Sequence, residues 1–389
     1  MRKLVSTLLA ASAMGLAMSG PASAHDGIEQ TRRIEFPDLQ DGRHALAVDL
    51  HTHSVFSDGY VWPDIRVQEA KRDGLFAMAV SEHLEYQPKI KDIPHPDRNR
   101  SYELASAAAA VKPDASGLAA EPLAVINGSE ITKITMPAGH INAVFIQDAN
   151  ALVKGDALTQ LKEARKQGAF VFWNHPYWLA QQRDGVAKMT PFHEDAIRQG
   201  LIQGIEVANG ADMSDEAMAM ALKYNLTMLG TSDIHGLIDW DYDLEHGAQR
   251  TATLVLAKDK SLESVKSALQ AGDTVAVYNH NLIGRPQNVE AVVRGSLKVD
   301  IGQPMKNTTV VPVQFTNDSP INFMLQTAGP ESFYDEGHVF TVKAHSSFTV
   351  LVKNVPDISK LNLTVEALNT YVAPREHLTL TLVDPTPGE

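Results

Sequence analysis

The chain has 389 residues, 44% of them hydrophobic and 21% charged, which is too long for one small domain and excludes a disordered, collagenous or coiled-coil protein. Its 47 acidic and 34 basic residues give a formal net charge of -13, which opposes sequence-independent binding to nucleic acid. With no cysteine, the chain has no disulfides, thiolate metal sites or cysteine nucleophiles.

The first residues read as an address label. Arg2 and Lys3 form a short basic region, an apolar run follows from Leu4 to about Met18, and Ala22-Ser23-Ala24 supplies the small residues of a cleavage site. This predicts a signal peptide over residues 1–24, cleaved near Ala24, and a periplasmic or secreted protein with no membrane association after cleavage. No later apolar run is long enough to cross a bilayer. Residues 25–45 read as an N-terminal extension.

From there short apolar runs alternate with helical patterns. Ala45–Leu50, Phe76–Val80, Leu123–Asn127, Ile141–Ile146, Ala169–Trp173, Gly204–Val207, Thr227–Leu229 and Thr251–Leu256 read as strands. Pro63–Arg72, Tyr102–Val111, Ala157–Gln167, Asp215–Tyr224 and Leu262–Ala271 read as helices. Such alternation predicts an α/β fold with a mostly parallel sheet. The length of the segment, residues 46–285, suits a (β/α) barrel. After Gly284-Arg285-Pro286, which reads as a linker, the chain becomes rich in Val, Thr, Leu and Asn. Thr309–Phe315, Val339–Val342, Phe348–Lys353, Leu361–Val365 and Leu378–Val383 read as strands separated by turns. A small antiparallel β-sandwich is expected over residues 286–389.

Histidine placement points to the chemistry. Six of the 15 histidines sit in short pieces with acidic neighbours, mostly at the ends of predicted strands. The pieces are Asp49-Leu50-His51-Thr52-His53-Ser54 with Ser57-Asp58-Gly59, then Ser81-Glu82-His83, Asn127-Gly128-Ser129-Glu130 with Gly139-His140, Asn174-His175-Pro176, and Asp233-Ile234-His235. In a strand, residues i and i+2 face the same side, so His51 and His53 can share one metal, as can Asp233 and His235. Catalytic groups of such barrels gather at the C-terminal rim of the strands. Nitrogen and carboxylate donors without sulfur suit zinc, manganese or iron. The nine candidates His51, His53, Asp58, His83, Glu130, His140, His175, Asp233 and His235 exceed what one open metal site uses, and suit two or three ions with bridging carboxylates.

These motifs, in this order over about residues 46–282, resemble those of the polymerase-and-histidinol-phosphatase (PHP) family. The resemblance implies a distorted (β/α)7 barrel holding up to three divalent metals. It implies that His51, His53, Glu130 and Asp233 hold the first. Glu130 would bridge to a second held with His140 and His175. Asp58, His83 and His235 would hold the third. Glu82 departs from the pattern, since many members carry Asp there. The β-rich C-terminal domain is not part of the family motif.

Two close cations lower the pKa of a shared water toward neutrality and stabilise charge on phosphoryl oxygens. The expected activity is therefore hydrolysis of a phosphate monoester or diester, with Asp233 and His235 as candidate catalytic residues. A small phosphorylated substrate is the expected partner, and homo-oligomerisation is open. Lys133, Tyr177 and Trp178 are candidate substrate contacts. Tyr60 and Trp62, after the Ser-Asp-Gly turn, are further candidates for stacking, Trp173 suits stacking or packing equally, and the acidic, aromatic stretch Leu237–Asp243 suits a lid. His193, His246 and His280 lie outside any motif and read as structural. The alternatives are a hydrolase of a carbon-centred ester or amide and a non-catalytic polymer-binding protein.

Overall fold

The computed structural model describes residues 32–111, 122–133 and 136–384. The signal-peptide segment lies outside the described residues. The barrel region runs in the order β1 (His44–Asp49), α1 (Pro63–Arg72), β2 (Ala77–Val80), α2 (Arg100–Ala109), β3 (Ala124–Thr132), β4 (His140–Val144), α3 (Ala157–Lys166) and β5 (Phe170–Trp173). It continues with α4 (Pro191–Arg198), β6 (Gly204–Asn209), β7 (Asp212–Met213), α5 (Asp215–Tyr224), β8 (Thr227–Thr231), α6 (Ile238–Asp241), β9 (Ala252–Ala257), α7 (Leu262–Ala271), β10 (Thr274–Tyr278) and β11 (Asn281–Gly284). Helix starts follow ordinary capping chemistry. Pro63 and Pro191 occupy first-turn positions, and the side chains of Asp156, Thr190, Ser214 and Ser261 accept from backbone N–H groups of α3, α4, α5 and α7.

The strands form one sheet in the order β11-β10-β9-β1-β2-β3-β4-β5-β6-β7, with β8 beside β6. It curls into a distorted (β/α)7 barrel, with Val48, Ile126, Phe170, Phe172, Leu229 and Val255 buried in its interior cluster. The sheet is mixed rather than mostly parallel. Neighbours β1-β2-β3 and β5-β6-β8 run parallel, while β3-β4-β5 and β1-β9-β10-β11 run antiparallel. For β3 and β4 the reason is connection length: the short link between Thr132 and His140 can hold a hairpin but not a crossover helix.

Side chains close the remaining seam. Thr253 Oγ1 donates to Gly230 O at 2.7 Å and accepts from Gly230 N at 3.0 Å, and Thr274 Oγ1 donates to Met228 O at 2.7 Å. Gly230 has no room for a side chain, because an added Cβ would lie 2.8 Å from Ala252 O and 2.9 Å from the Ala276 methyl.

The segment 286–296 differs from expectation. It is a helix, α8 (Pro286–Ser296), with Val289, Val292 and Val293 buried. Their 3.6-residue period outweighs the strand preference of Val. The sandwich follows: β12 (Leu297–Ile301), β13 (Val311–Asn317), β14 (Phe323–Thr327), β15 (Val339–Val342), β16 (Ser346–Val352), β17 (Leu363–Ala367), β18 (Thr370–Tyr371) and β19 (Leu378–Val383). Sheet β12-β13-β16 faces sheet β15-β14-β17-β19 over Phe315, Phe323, Phe340 and Val350. Strand β18 leaves the sandwich and pairs in parallel with β11, the edge strand of the barrel.

Gly230→Val is expected to destabilise the chain by about 1–3 kcal/mol through overpacking at the seam, read as a lower urea midpoint with an unchanged slope.

Candidate metal centre

The five motif pieces meet at one rim because the strand ends bond to each other. Asp233 N donates to His51 O at 2.9 Å and His53 N to Ile234 O at 3.1 Å, joining the first and last pieces. Glu130 N donates to Glu82 O at 3.0 Å and Leu84 N to Glu130 O at 2.7 Å, joining the second and third. Asn174 N donates to His140 O at 3.0 Å, and Tyr60 N to His235 O at 2.7 Å. Gly59 is required in this packing, since a Cβ there would lie 2.8 Å from His53 C and Ser54 N. His175 and Asp233 hold positive φ angles of 24° and 50°, a strained backbone that clusters at functional sites.

All nine predicted ligands converge. Their donor atoms form four overlapping groups, within each of which every pair lies within 4.8 Å: His51/His53/Asp233, His51/Glu130/His175, His83/Glu130/His140 and His53/Asp58/His83/His235. Glu130 and His51 are each shared by two groups, and His53 and His83 link them to the Asp58 side. His51 Nε2 and His53 Nε2 face each other at 3.1 Å, each 3.1 Å from Asp233 Oδ1. That triangle matches the donor spacing around one cation with ligand bonds of about 2.0–2.2 Å.

The residues fit divalent ions on a second count. Glu130 Oε2, Asp58 Oδ1, His140 Nδ1 and His175 Nδ1 are buried without a hydrogen-bond partner. His140 Nδ1 nevertheless lies 3.0 Å from Glu130 Oε1, and His235 Nε2 lies 3.1 Å from Asp58 Oδ1. Atoms this close but misaligned for hydrogen bonding point instead at shared positions between them.

Electrostatics agree. Burial opposes the charge on Glu130, but His83, His51 and His140 outweigh it and hold the carboxyl well below its ordinary range. Asp58 and Asp233 behave alike, burial being outweighed chiefly by His235 and His83 for Asp58 and by His51 and His53 for Asp233. Burial, with His235 and His83 adding, pushes His53 down to about 3, so its ring stays neutral and able to ligate. His83 is pushed up to about 10, burial notwithstanding, by Glu130 and Asp58. Anionic carboxylates are thus compensated by protons on imidazoles, the place that a bound cation takes.

A crystal structure of a two-domain protein from Bacteroides vulgatus, containing a predicted PHP-like metal-dependent phosphoesterase, is 39% identical and superposes with a TM-score of 0.81 over 90% of this chain and 97% of that one. This chain belongs to the PHP-like metal-dependent phosphoesterase family. Two more distant structures are a Bifidobacterium adolescentis protein assigned as a metal-dependent phosphoesterase and an amidohydrolase from Chromobacterium violaceum with bound sulfate and no metal. Each is 16% identical; TM-scores are 0.36 over 50% of this chain and 90% of the first, and 0.32 over 52% of this chain and 97% of the second, too low to carry an argument. Residues 297–383 match the model of an Ig-like domain. Comparison with curated protein sequences gives no match.

The PHP-like barrel also contains positioning groups that the sequence motifs do not single out. Glu206, fully buried in β6, accepts from His51 Nδ1 at 2.8 Å, Thr231 Oγ1 at 2.7 Å, His175 N at 2.7 Å and Asn209 Nδ2 at 2.9 Å. It fixes the His51 tautomer so that Nε2 faces the cluster. Its one sequence signal is a charge amid an apolar strand. Asn174 Nδ2 donates to Glu130 Oε1 at 2.8 Å. Glu82, the departure from the family pattern, accepts from the Ser54 and Ser57 hydroxyls and from Ser54 N. It therefore ties down the loop that carries Asp58. Asp49 accepts from Ser232 Oγ at 2.5 Å and from Arg250 at 3.2 Å.

The predicted substrate contacts divide. Trp178, 45% exposed, has its ring 5.3 Å from that of His140 and 5.4 Å from that of His175. Tyr177 does not face the cluster: it is buried in the outer core and donates to Asp212 O at 3.2 Å. Lys133 is ion-paired to Glu85 rather than aimed at the ligands. Trp173 is a packing residue, stacked 3.6 Å from the buried His193. The 237–243 stretch is fastened rather than free as a lid. Ile238 N donates to Glu69 at 2.8 Å, Arg32 donates to Asp239 at 2.6 Å, and Ile238 is fully buried.

Glu206→Gln is expected to weaken metal binding by about 10–100-fold with the fold retained, measured by competition with a chromophoric chelator. His193 gives a pH test. Burial holds it down to about 4, below its unfolded value of 6.5, so the unfolded state gains the proton first and stability is lost as pH falls from 6.5 toward 4. Urea titrations at pH 7 and pH 5 should show a smaller loss in His193→Gln than in the wild type.

Proposed function

We propose that this PHP-like metal-dependent hydrolase cleaves phosphate esters, monoester or diester, outside the cytoplasm, in the periplasm or as a secreted protein. The observation that carries the reading is the fourth donor group, His53/Asp58/His83/His235, standing beside the Glu130-centred groups. It supports a site for two or three divalent ions, of which zinc, manganese and iron fit the donor chemistry. Such ions supply Lewis-acid charge for phosphoryl oxygens and lower the pKa of an attacking water. In the hydrolysis, the water oxygen bonds to phosphorus, the ester P–O bond breaks and the leaving oxygen takes a proton.

This chain's residues set the geometry for that step. Asp233 presents Oδ1 between two imidazoles. His235 donates from Nδ1 to Asp233 O at 2.7 Å, which turns Nε2 toward Asp58. With 32% of its side chain exposed, against 0% for His51 and His53, His235 stands at the opening, where substrate and water enter. Trp178, also partly exposed, stands beside His140 and His175. The net charge of -13 does not oppose a small anionic substrate, because bound cations reverse the local sign.

The test is turnover by the purified chain with metal content measured on the same sample, against a chromogenic phosphate monoester, a diester and a carboxyl ester. Phosphoester turnover with two or three metals per chain is expected. Metal-loaded protein that cleaves only the carboxyl ester would overturn the phosphoester reading, and protein that binds no metal would favour the polymer-binding one. His53→Ala and Asp233→Ala should each lose more than about a hundredfold in turnover, since removing even an outer positioning group costs about 10–100-fold.

A further inference from the structure

The rim of the site carries an arrangement that the metal chemistry does not use. Tyr86 is 48% exposed, with its ring 5.7 Å from that of His83. Trp178, equally open, stands against His140 and His175. His83 and His140 are adjacent donors of one group, both on Glu130, with ring centroids 5.6 Å apart. Two exposed aromatic rings therefore stand beside neighbouring imidazoles of one donor group. Large exposed apolar groups concentrated beside a functional centre mark a binding surface.

The polar groups next to these two rings are engaged with each other. Glu85, next to Tyr86, is ion-paired to Lys133 and accepts from Gln160 Nε2 and Thr132 N, both at 2.8 Å. Gln181, whose backbone N–H bonds to Trp178 O at 2.9 Å, donates its side chain to Lys133 O at 3.3 Å. Gln87 donates to His83 O. Recognition of a sugar or polyol needs unengaged donors and acceptors aimed at its hydroxyls. The side chains around the two rings are bonded to one another, so the rim there offers chiefly aromatic surface, which suits a flat apolar group.

We propose that the group esterified to the scissile phosphoryl is a flat aromatic ring, held against Tyr86 and Trp178. The proposal rests on the phosphoester reading and narrows its substrate class. It gives Lys133 a structural part, as the cation that neutralises Glu85, next to Tyr86. It also makes Tyr86 a specificity-determining residue that the motifs do not reveal.

The test is calorimetric binding of phenylphosphonate, cyclohexylphosphonate, methylphosphonate and a glucosyl phosphonate to the metal-loaded full chain. Phenylphosphonate should bind at least about tenfold more tightly than its cyclohexyl counterpart, the lower end of what one aromatic stack supplies. Trp178→Ala and Tyr86→Ala should each remove most of that preference, and Trp178→Phe and Tyr86→Phe should keep it. Methylphosphonate, with no ring to stack, should keep its affinity in all four variants, alongside unchanged metal content. Equal binding of the phenyl and cyclohexyl compounds, or a preference that survives both alanine variants, would overturn stacking while leaving the phosphoester reading intact. Tighter binding of the glucosyl compound would assign the rim to carbohydrate and overturn the proposal. If no phosphonate binds, the phosphoester reading falls and this inference with it.

Discussion

A carboxylate buried among imidazoles is the constraint around which the molecule is arranged. Glu130 is fully buried, and the titratable groups within ion-pair distance of it among the described residues are His51, His53, His83, His140 and His175, with no lysine or arginine at hand. A buried carboxylate costs several kcal/mol unless it is compensated. Imidazoles can provide that compensation only by carrying protons, and they give the protons up when a cation arrives. Folding the rim therefore builds a site in which a cation can take the place of those protons. The rungs that join the strand ends hold the rings in facing pairs that would otherwise swing apart to hydrogen-bond elsewhere.

Beneath the rim lies a second charged layer of opposite logic, permanently paired. Arg250, 1% exposed at its side chain, donates to Asp49 at 3.2 Å and to Asp73 at 2.5 Å, and Arg32 from the N-terminal extension completes the pairing of Asp73. Asp49 in turn accepts from Ser232 N at 3.2 Å and His51 N at 3.3 Å. Arg66 donates to His53 O at 2.8 Å and Ile234 O at 3.3 Å. Guanidinium groups hold their charge at any working pH, so this layer keeps the backbone of the ligand loops fixed while the layer above exchanges protons for metal. The extension is thus part of the site's foundation, with Ile34 and Leu39 buried in the core below it.

The ligands were legible in the sequence because each lies within a few residues of another or at a strand end, where a period of two fixes its direction. The α/β alternation was legible for the same reason. Glu206 was not: it meets His51 across 155 residues, and nothing local separates a buried partner carboxylate from a strand charge at an edge. Tyr177 and Trp178 show the limit in another form. They are adjacent in sequence and alike in chemistry, yet the turn after His175 sends one into the core and leaves the other partly exposed. The antiparallel strands and α8 were obscured because short apolar runs carry no direction and because β-branched residues masked a helical period.

The Ig-like domain is bound to the barrel as an extension of its sheet. Strand β18 pairs with β11 over Leu282–Thr370 and Ile283–Tyr371. Asn369 fixes the junction from both sides, donating to His280 O at 2.6 Å and Asn322 O at 2.8 Å while accepting from Met324 N at 3.0 Å. An open sheet edge is a template for aggregation, and this contact caps one end of the barrel sheet. Gln249, next to Arg250, donates to Pro320 O at 3.2 Å, so a sandwich turn also rests against the segment that anchors Asp49. The second domain therefore meets the barrel at the β11 edge of its sheet and at the segment next to Arg250. All nine candidate ligands lie in the barrel, and the contacts of the sandwich with it are structural.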